Sequence, residues 1–548
     1  MTDTPGADDI SGKSPPLRLT AAACALVLST SCGVLPQPEP ASSPAANAPA
    51  STPAGPDTPP PPPPRGTATP AASESPSYSD PYSDARPPLA SALATHADHG
   101  KRTVRADLVG LNRIGDHVAV QVRLTETGER SMWVWHHVED RMASGRDKDD
   151  MASGLGIIDA AAGRLLMPST TPDGGCACTV EDDFERPWLE PGKPRTFFAL
   201  VPAPSGGATS ATVYTPLAPP FVNVPISDEP PQPPPNQQIP DPATAQLTPL
   251  SYPMELPSAS LDNSMETTTD DQRVRINLFS DLLFKVNKAD LSPGARNVLA
   301  RTAGQIDESD ATEVAIDGHA DSTGTDAINQ PLSERRADTV RKDLASLVTR
   351  EGVTFRARGH GSAKPLYSND DADGRRKNRR VTVSFDRSRT LPAPSPSSTP
   401  SPVESGSPGG SSRTNVDGQP FTVEVDPIRV VGEGIGLMVF RTTNHGIKET
   451  WLHDLGDRPP TLPGRGSRGG ATNVDVVDPR GKTLHGAAVV YGRQGSRLYC
   501  LCTPTHYRTD HLAQETKEHW AVISLPRDAS SVRVRVAQFP PLADVPII

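Results

Sequence analysis

The residues with the strongest chemical potential stand in one stretch, Asp317–Val340: Asp-Gly-His-Ala-Asp-Ser-Thr-Gly-Thr-Asp-Ala-Ile-Asn-Gln-Pro-Leu-Ser-Glu-Arg-Arg-Ala-Asp-Thr-Val. Asp321 offers a carboxylate for an ammonium group, and Arg336 offers a planar guanidinium that can fork onto a carboxylate. Together they suit a ligand that carries both charges, or they close on each other as an internal ion pair; the spacing leaves both readings open. The elements that would position them follow from the pattern. Val314 and Ile316 alternate with polar neighbours as in a half-buried strand. Gly318 and Gly324 with Asp321 and Asp326 supply turn chemistry. Ser333 with Glu334 predicts a helix N-terminus, whose free N–H groups and dipole favour an anion. Arg336, Val340, Leu344 and Leu347 then recur at helical spacing. Arg335 falls off that apolar face, whereas Arg336 lies on it and its charge needs a partner. Asn329 would cap the loop or donate to a ligand. His319 reads as a structural loop residue and not as a metal ligand.

The stretch resembles the signature of the OmpA-like peptidoglycan-binding domain. The match extends to Leu282-Leu283-Phe284, to Gly359-His360-Gly361 and to Gly374-Arg375-Arg376-Lys377-Asn378-Arg379-Arg380-Val381, so it spans 271–388. One departure is Ala320, where the family usually has threonine. The resemblance implies an OmpA-like βαβαββ sandwich. It implies that Asp321 and Arg336 grip a diaminopimelate residue of the wall stem peptide. Asn329, Leu332, Ser333, Asn378 and Arg379 are the further candidates along the ligand groove. The run Arg375–Arg380 otherwise reads as a solvated basic face.

Composition limits what the rest of the 548 residues can do. There are 62 prolines and only 4% aromatic residues, so much of the chain cannot bury a core. A net charge of −11 speaks against non-specific nucleic-acid binding. Six cysteines form three close pairs, Cys24 and Cys32, Cys176 and Cys178, Cys500 and Cys502. Lys13 and Arg18 precede an apolar run, Leu19–Leu28, which is too short to span a bilayer and suits a secretory signal. Its end, Ser29-Thr30-Ser31-Cys32-Gly33, resembles a lipoprotein signal with Cys32 as the acylated residue. Ser29 replaces the usual leucine.

The chain divides into a signal segment 1–32 and a tether 33–99 with 18 prolines between Pro36 and Pro88. A β domain 100–227, a proline-rich linker 228–270, the OmpA-like domain 271–388, a Ser/Pro/Gly linker 389–418 and a β domain 419–548 follow. Within 271–388, Val274, Ile276 and Leu278 predict a first strand, and Ser292-Pro293 a helix start with Val298, Leu299 and Ile306 inward. Val353, Phe355 and Ala357, then Val381, Val383 and Phe385, predict two more strands. The two outer β domains read as a repeat. Thr103-Val104 and Asp107 answer Thr422-Val423 and Asp426; Arg123, Gly128 and Trp133 answer Arg441, Gly446 and Trp451; Cys176-Ala-Cys178 answers Cys500-Leu-Cys502. Pro219-Pro220 and Val224-Pro225-Ile226 answer Pro540-Pro541 and Val545-Pro546-Ile547. Nothing in the linkers requires the repeats to meet. A disulfide within each Cys-x-Cys pair is the simplest state in an exported protein, and the two tryptophans read as core.

The fold expected is therefore a central α/β domain flanked by two related all-β sandwich-like domains, with long disordered proline-rich linkers. No metalloprotease, nucleophile-elbow or P-loop motif is present. His136-His137 and His453 are weak evidence for a metal, and no cofactor is expected. The expected function is non-catalytic: an exported protein, anchored in the membrane through Cys32, that binds peptidoglycan while its β domains meet unknown protein partners. The alternative is an envelope enzyme or redox protein acting through the Cys-x-Cys domains. An outer-membrane barrel would need about eight alternating strands, which 33–270 lacks, and a flagellar stator protein would need a full transmembrane helix.

Overall fold

The computed structural model describes residues 84–96, 102–133, 138–140, 142, 151–180, 188–387, 409–456, 470–491, 498–504, 510–527 and 529–548. The signal segment with Cys24 and Cys32, the tether up to residue 83, His136-His137 and residues 388–408 lie outside these. Within them the chain is mostly β and forms several sheets. No described helix is long and apolar enough to cross a membrane.

The segment around the signature is built on strand β1 (Thr248–Ser260), β2 (Met265–Thr269) and β3 (Arg273–Phe279). A one-turn helix α1 (Ser280–Leu283) leads to α2 (Ala295–Asp307), then β4 (Glu313–Gly318), α3 (Asp326–Leu347), β5 (Thr354–Gly359), α4 (Ala372–Asn378) and β6 (Arg380–Asp386). In the sheet the order is β1-β2-β3-β6-β4-β5. All neighbours are antiparallel except β4 and β5, which pair Glu313 with Thr354 and Gly318 with Gly359 in parallel. The alternation read from sequence is a core pattern: Ile276, Leu278, Val314, Ile316, Val381, Val383 and Phe385 are buried with Val298, Leu299 and Ile306 of α2 and Val340 and Leu344 of α3.

Helix starts differ from the sequence expectation. α2 begins at Ala295 with Gly294 as N-cap, and the Ser292 hydroxyl donates to the Leu282 carbonyl instead of capping. α3 begins at Asp326 with Thr325 as N-cap, seven residues before Ser333. Pro331 is the sixth residue of α3, past the first turn, so its ring removes the donor that would otherwise bond the Ala327 carbonyl.

The expected linker 228–270 contains β1 and β2, both with buried residues. Proline density hid the period-two pattern of Tyr252, Met254 and Leu256, which are all buried. Pro249 falls at a register shift against the strand Arg164–Thr170, a position that tolerates a missing N–H. β1 pairs with Arg164–Thr170 along one part and with Thr483–Gly486 and Val489–Tyr491 along another. Strand structure also enters the expected tether at Ala90–His96 and the expected linker at Gly410–Val416.

The two outer segments do meet. Ile158, Leu165, Met167 and Tyr214 share one buried cluster with Ile435, Leu437, Trp520 and Val522, and Tyr252, Met254 and Leu256 of β1 belong to it. The strand Ile435–Asn444 explains why. Its Met438 and Phe440 pack in one cluster and its Ile435 and Leu437 in another, so it is covered on both faces. Among the repeat landmarks, Arg123 donates to Asp107 at 2.8 Å and Arg441 to Asp426 at 2.6 Å. Each Cys-x-Cys pair has Cα atoms 5.2 Å apart, within the span a disulfide bridges. The tryptophans depart from the core expectation. Trp451 is 46% exposed and Trp133 is half-buried against an exposed Trp188, because both sit on short two-strand ribbons with only one face against the body.

Candidate functional site

β4 delivers the chain to a loop at the end of the sheet, and α3 returns beneath it. The two approach so closely that a Cβ on Gly318 would lie 2.2 Å from the Ser333 carbonyl oxygen. Glycine is therefore required there by space. The loop is fastened from inside. Asn329 is buried and donates to the Thr323 carbonyl at 2.9 Å, so of its two expected roles it fills the capping one. Ser333 is a buried tie in mid-helix: its hydroxyl donates to the Gln330 carbonyl and accepts from the Gly361 N–H at 3.0 Å. No helix N-terminus lies at Ser333, so the anion-favouring N–H groups expected there are already bonded within α3. Leu332 is half-buried on the same helix.

Asp321 is 3% exposed, and one oxygen accepts from the Thr323 backbone N–H at 2.9 Å and from the Thr323 hydroxyl. Its other oxygen accepts from Nη1 of Arg379 at 2.6 Å. Burial works to raise its pKa, but the bonds from Thr323 and Arg379 outweigh it and hold the carboxyl below the usual aspartate value. Asp321 is thus a fixed anion whose ion-pair partner within the protein is Arg379.

Arg336 is 7% exposed on the inner face of α3, where its spacing with Val340 and Leu344 placed it. Its Nε donates to the Lys288 carbonyl at 3.1 Å, and its guanidinium carbon lies 5.1 Å from the centre of the Phe284 ring. No carboxylate of the described residues is within ion-pair distance of it, and its two Nη atoms have no hydrogen-bond partner among those residues. The internal Asp321–Arg336 pair left open by spacing is therefore not formed. Burial pushes the Arg336 pKa down; the fields of Asp281 and, more weakly, Asp321 pull it up, and that of Arg379 acts with burial. Arg336 thus feels Asp281, Asp321 and Arg379 across one site.

Arg379 is the groove candidate that the structure brings to the centre. It forks onto Asp281, with Nε to one oxygen at 3.0 Å and Nη2 to the other at 2.6 Å. The hydrogen bond to Asp281 is the largest of the effects that raise its pKa above the ordinary arginine value. Asn378, expected in the groove, is fully buried. Its side chain accepts from the Leu366 and Tyr367 N–H groups and donates to the Tyr367 carbonyl and Asn369, which leaves it nothing for a ligand. The expected solvated basic face is partly inside the protein. Lys377 pairs with Glu266 at 2.9 Å and Arg380 is 6% exposed, because α4 packs against β3 and the β1–β2 region. His319 is buried and stacks on His360 at 5.2 Å. Burial, with Arg380, His360 and Lys364 nearby, pushes its pKa down to about 3, so it is neutral.

Sequence reading missed Asp281 and the Lys288 carbonyl. Asp281 immediately precedes the Leu282-Leu283-Phe284 motif, which was a usable signal; a backbone carbonyl leaves none.

The family model described as the OmpA family matches residues 283–379. The Outer-membrane lipoprotein YfiB of Pseudomonas aeruginosa is 34% identical over 116 residues, 21% of this chain and 67% of that protein. Probable lipoprotein YiaD of Escherichia coli is 32% identical over 144 residues, 25% of this chain and 64% of that protein. Outer membrane porin F of Pseudomonas aeruginosa is 38% identical over 108 residues, 20% of this chain and 30% of that protein. The chain thus spans only part of each of these curated relatives. Through the segment that carries the β4 loop, α3 and Arg379, the chain belongs to the OmpA family.

Proposed function

We propose that this is a non-catalytic cell-envelope protein that binds peptidoglycan without covalent linkage. The diaminopimelate residue of the stem peptide is the group recognised. The observation that carries this reading is Arg336. A guanidinium buried to 7% exposure, without a carboxylate partner among the described residues, is costly unless a ligand supplies the anion. The ligand's carboxylate meets the two Nη atoms of Arg336, and its ammonium meets Asp321, which Thr323 and Arg379 keep charged. The relatives named as outer-membrane proteins and lipoproteins support an envelope location. Cys32 acts as the lipid anchor, so that the chain ties a membrane to the wall. The Cys-x-Cys pairs form inert disulfides, and the outer β segments serve as partner-recruiting or spacing modules.

The test is a pull-down with purified sacculi together with membrane fractionation. Asp321→Ala and Arg336→Ala are each expected to abolish retention on sacculi, and Cys32→Ser to move the protein out of the membrane fraction. Undiminished retention of both site variants refutes the assigned site.

A further inference from the structure

The candidate site contains a fourth charge that the pair of ligand-gripping residues does not explain. Asp281 lies on α1, at the end of β3, and receives two of the three polar bonds that Arg379 makes, at 3.0 and 2.6 Å. The same short piece of chain ends in Phe284, whose ring lies under Arg336. Ser280–Phe284 therefore steadies both guanidinium groups, one through a carboxylate and one through a ring face.

Charge counting shows what this arrangement does. Asp281 and Asp321 carry two negative charges, and Arg336 and Arg379 carry two positive ones, so the site sums to zero. A zwitterionic ligand end also sums to zero. Without Asp281, Arg379 would keep its hold on Asp321 but the site would carry one excess positive charge beside the position that receives an ammonium. That would repel the ammonium and attract a ligand end that is only anionic.

We propose that Asp281 is a positioning residue that determines specificity: by neutralising and orienting Arg379 it makes the site select a zwitterion over an anion. This deepens the peptidoglycan-binding reading above and rests on it. The ligand chemistry in question is a free amino group beside a free carboxylate, against the same group with its nitrogen acylated.

The experiment uses the full chain and isothermal titration with two probes. One is a muropeptide with the free amino and carboxyl groups of its diaminopimelate end; the other is the same muropeptide N-acetylated at that amino group. The wild type is expected to prefer the free form. Removing one unit charge from the rim of such a site is worth on the order of tenfold in affinity, so Asp281→Asn should lower that preference by about tenfold. Asp281→Glu, which keeps the charge, should restore it, and Asp281→Asn combined with Arg379→Gln should recover part of it by restoring neutrality. A fall in the folded fraction weakens both probes alike, so the ratio still reports on a destabilised variant. An unchanged ratio in Asp281→Asn, including equal weakening of both probes, overturns the proposal. Failure of the wild type to bind either probe overturns the peptidoglycan reading itself.

Discussion

Glu266 is the residue whose removal tests how the binding segment is built. It lies on β2, in a stretch whose composition reads as linker. Its two oxygens hold Lys377 Nζ at 2.9 Å and the Tyr367 hydroxyl. The side chains of Lys377 and Glu266 are 12% and 7% exposed, and Nζ lies 4.9 Å from the Tyr367 ring centre. Glu266→Ala would take from a half-buried ammonium and from the Tyr367 hydroxyl the carboxylate that both contact. Breaking one side of a buried ion pair costs roughly 3–5 kcal/mol. Asp373 stands 3.9 Å from the same Nζ and is 64% exposed, so it can take over part of the charge. The lower end, about 3 kcal/mol, is therefore expected. A substitution in a true linker would change stability by about 0.5 kcal/mol or less. The assay is native-state hydrogen exchange of the full chain, read at the amides of α4 and β6. Glu266→Leu with Lys377→Met, which removes both charges, should recover much of the loss because neither group is then left unpaired. A loss below about 1 kcal/mol for Glu266→Ala, or a double variant no better than the single one, would refute the claim that β2 is part of this domain.

Two pH effects follow from other residues. Asp475 is 1% exposed with one oxygen unbonded, and burial raises its pKa from 3.8 to about 6. A raised folded-state value means that its contribution is fully present below pH 3.8 and lost as pH rises through about 6. The loss is roughly 3 kcal/mol. Asp475→Asn should therefore be more stable than the wild type at pH 7.5 in thermal melts, with the difference gone near pH 4. Asp321 has the opposite sign, because its folded-state value lies below 3.8. The carboxylate stays charged down to that range, so retention on sacculi should persist at pH 5 and fall only below about pH 4. Loss of retention between pH 7 and 5 would count against Asp321 as the ammonium ligand.

The sequence by itself determined the local order of the binding segment. Alternation at Ile276 and Leu278, Val314 and Ile316, and Val381 and Val383 specified strands, and the spacing of Arg336, Val340 and Leu344 put a charge on a buried face. These are properties of period and residue type, which a chain carries without its partners. The tertiary structure alone decided which charges meet. Asp321 and Arg336 are close in sequence, yet Asp321 is held by Arg379, and Arg379 by the distant Asp281, because strand order brings β3 and β6 together beside the β4 loop. It also decided that Tyr252, Met254 and Leu256 belong to a strand in spite of the surrounding prolines. Burial between two neighbouring segments outweighs a weak local preference, and such burial is a property of the assembled sheet and not of the stretch itself.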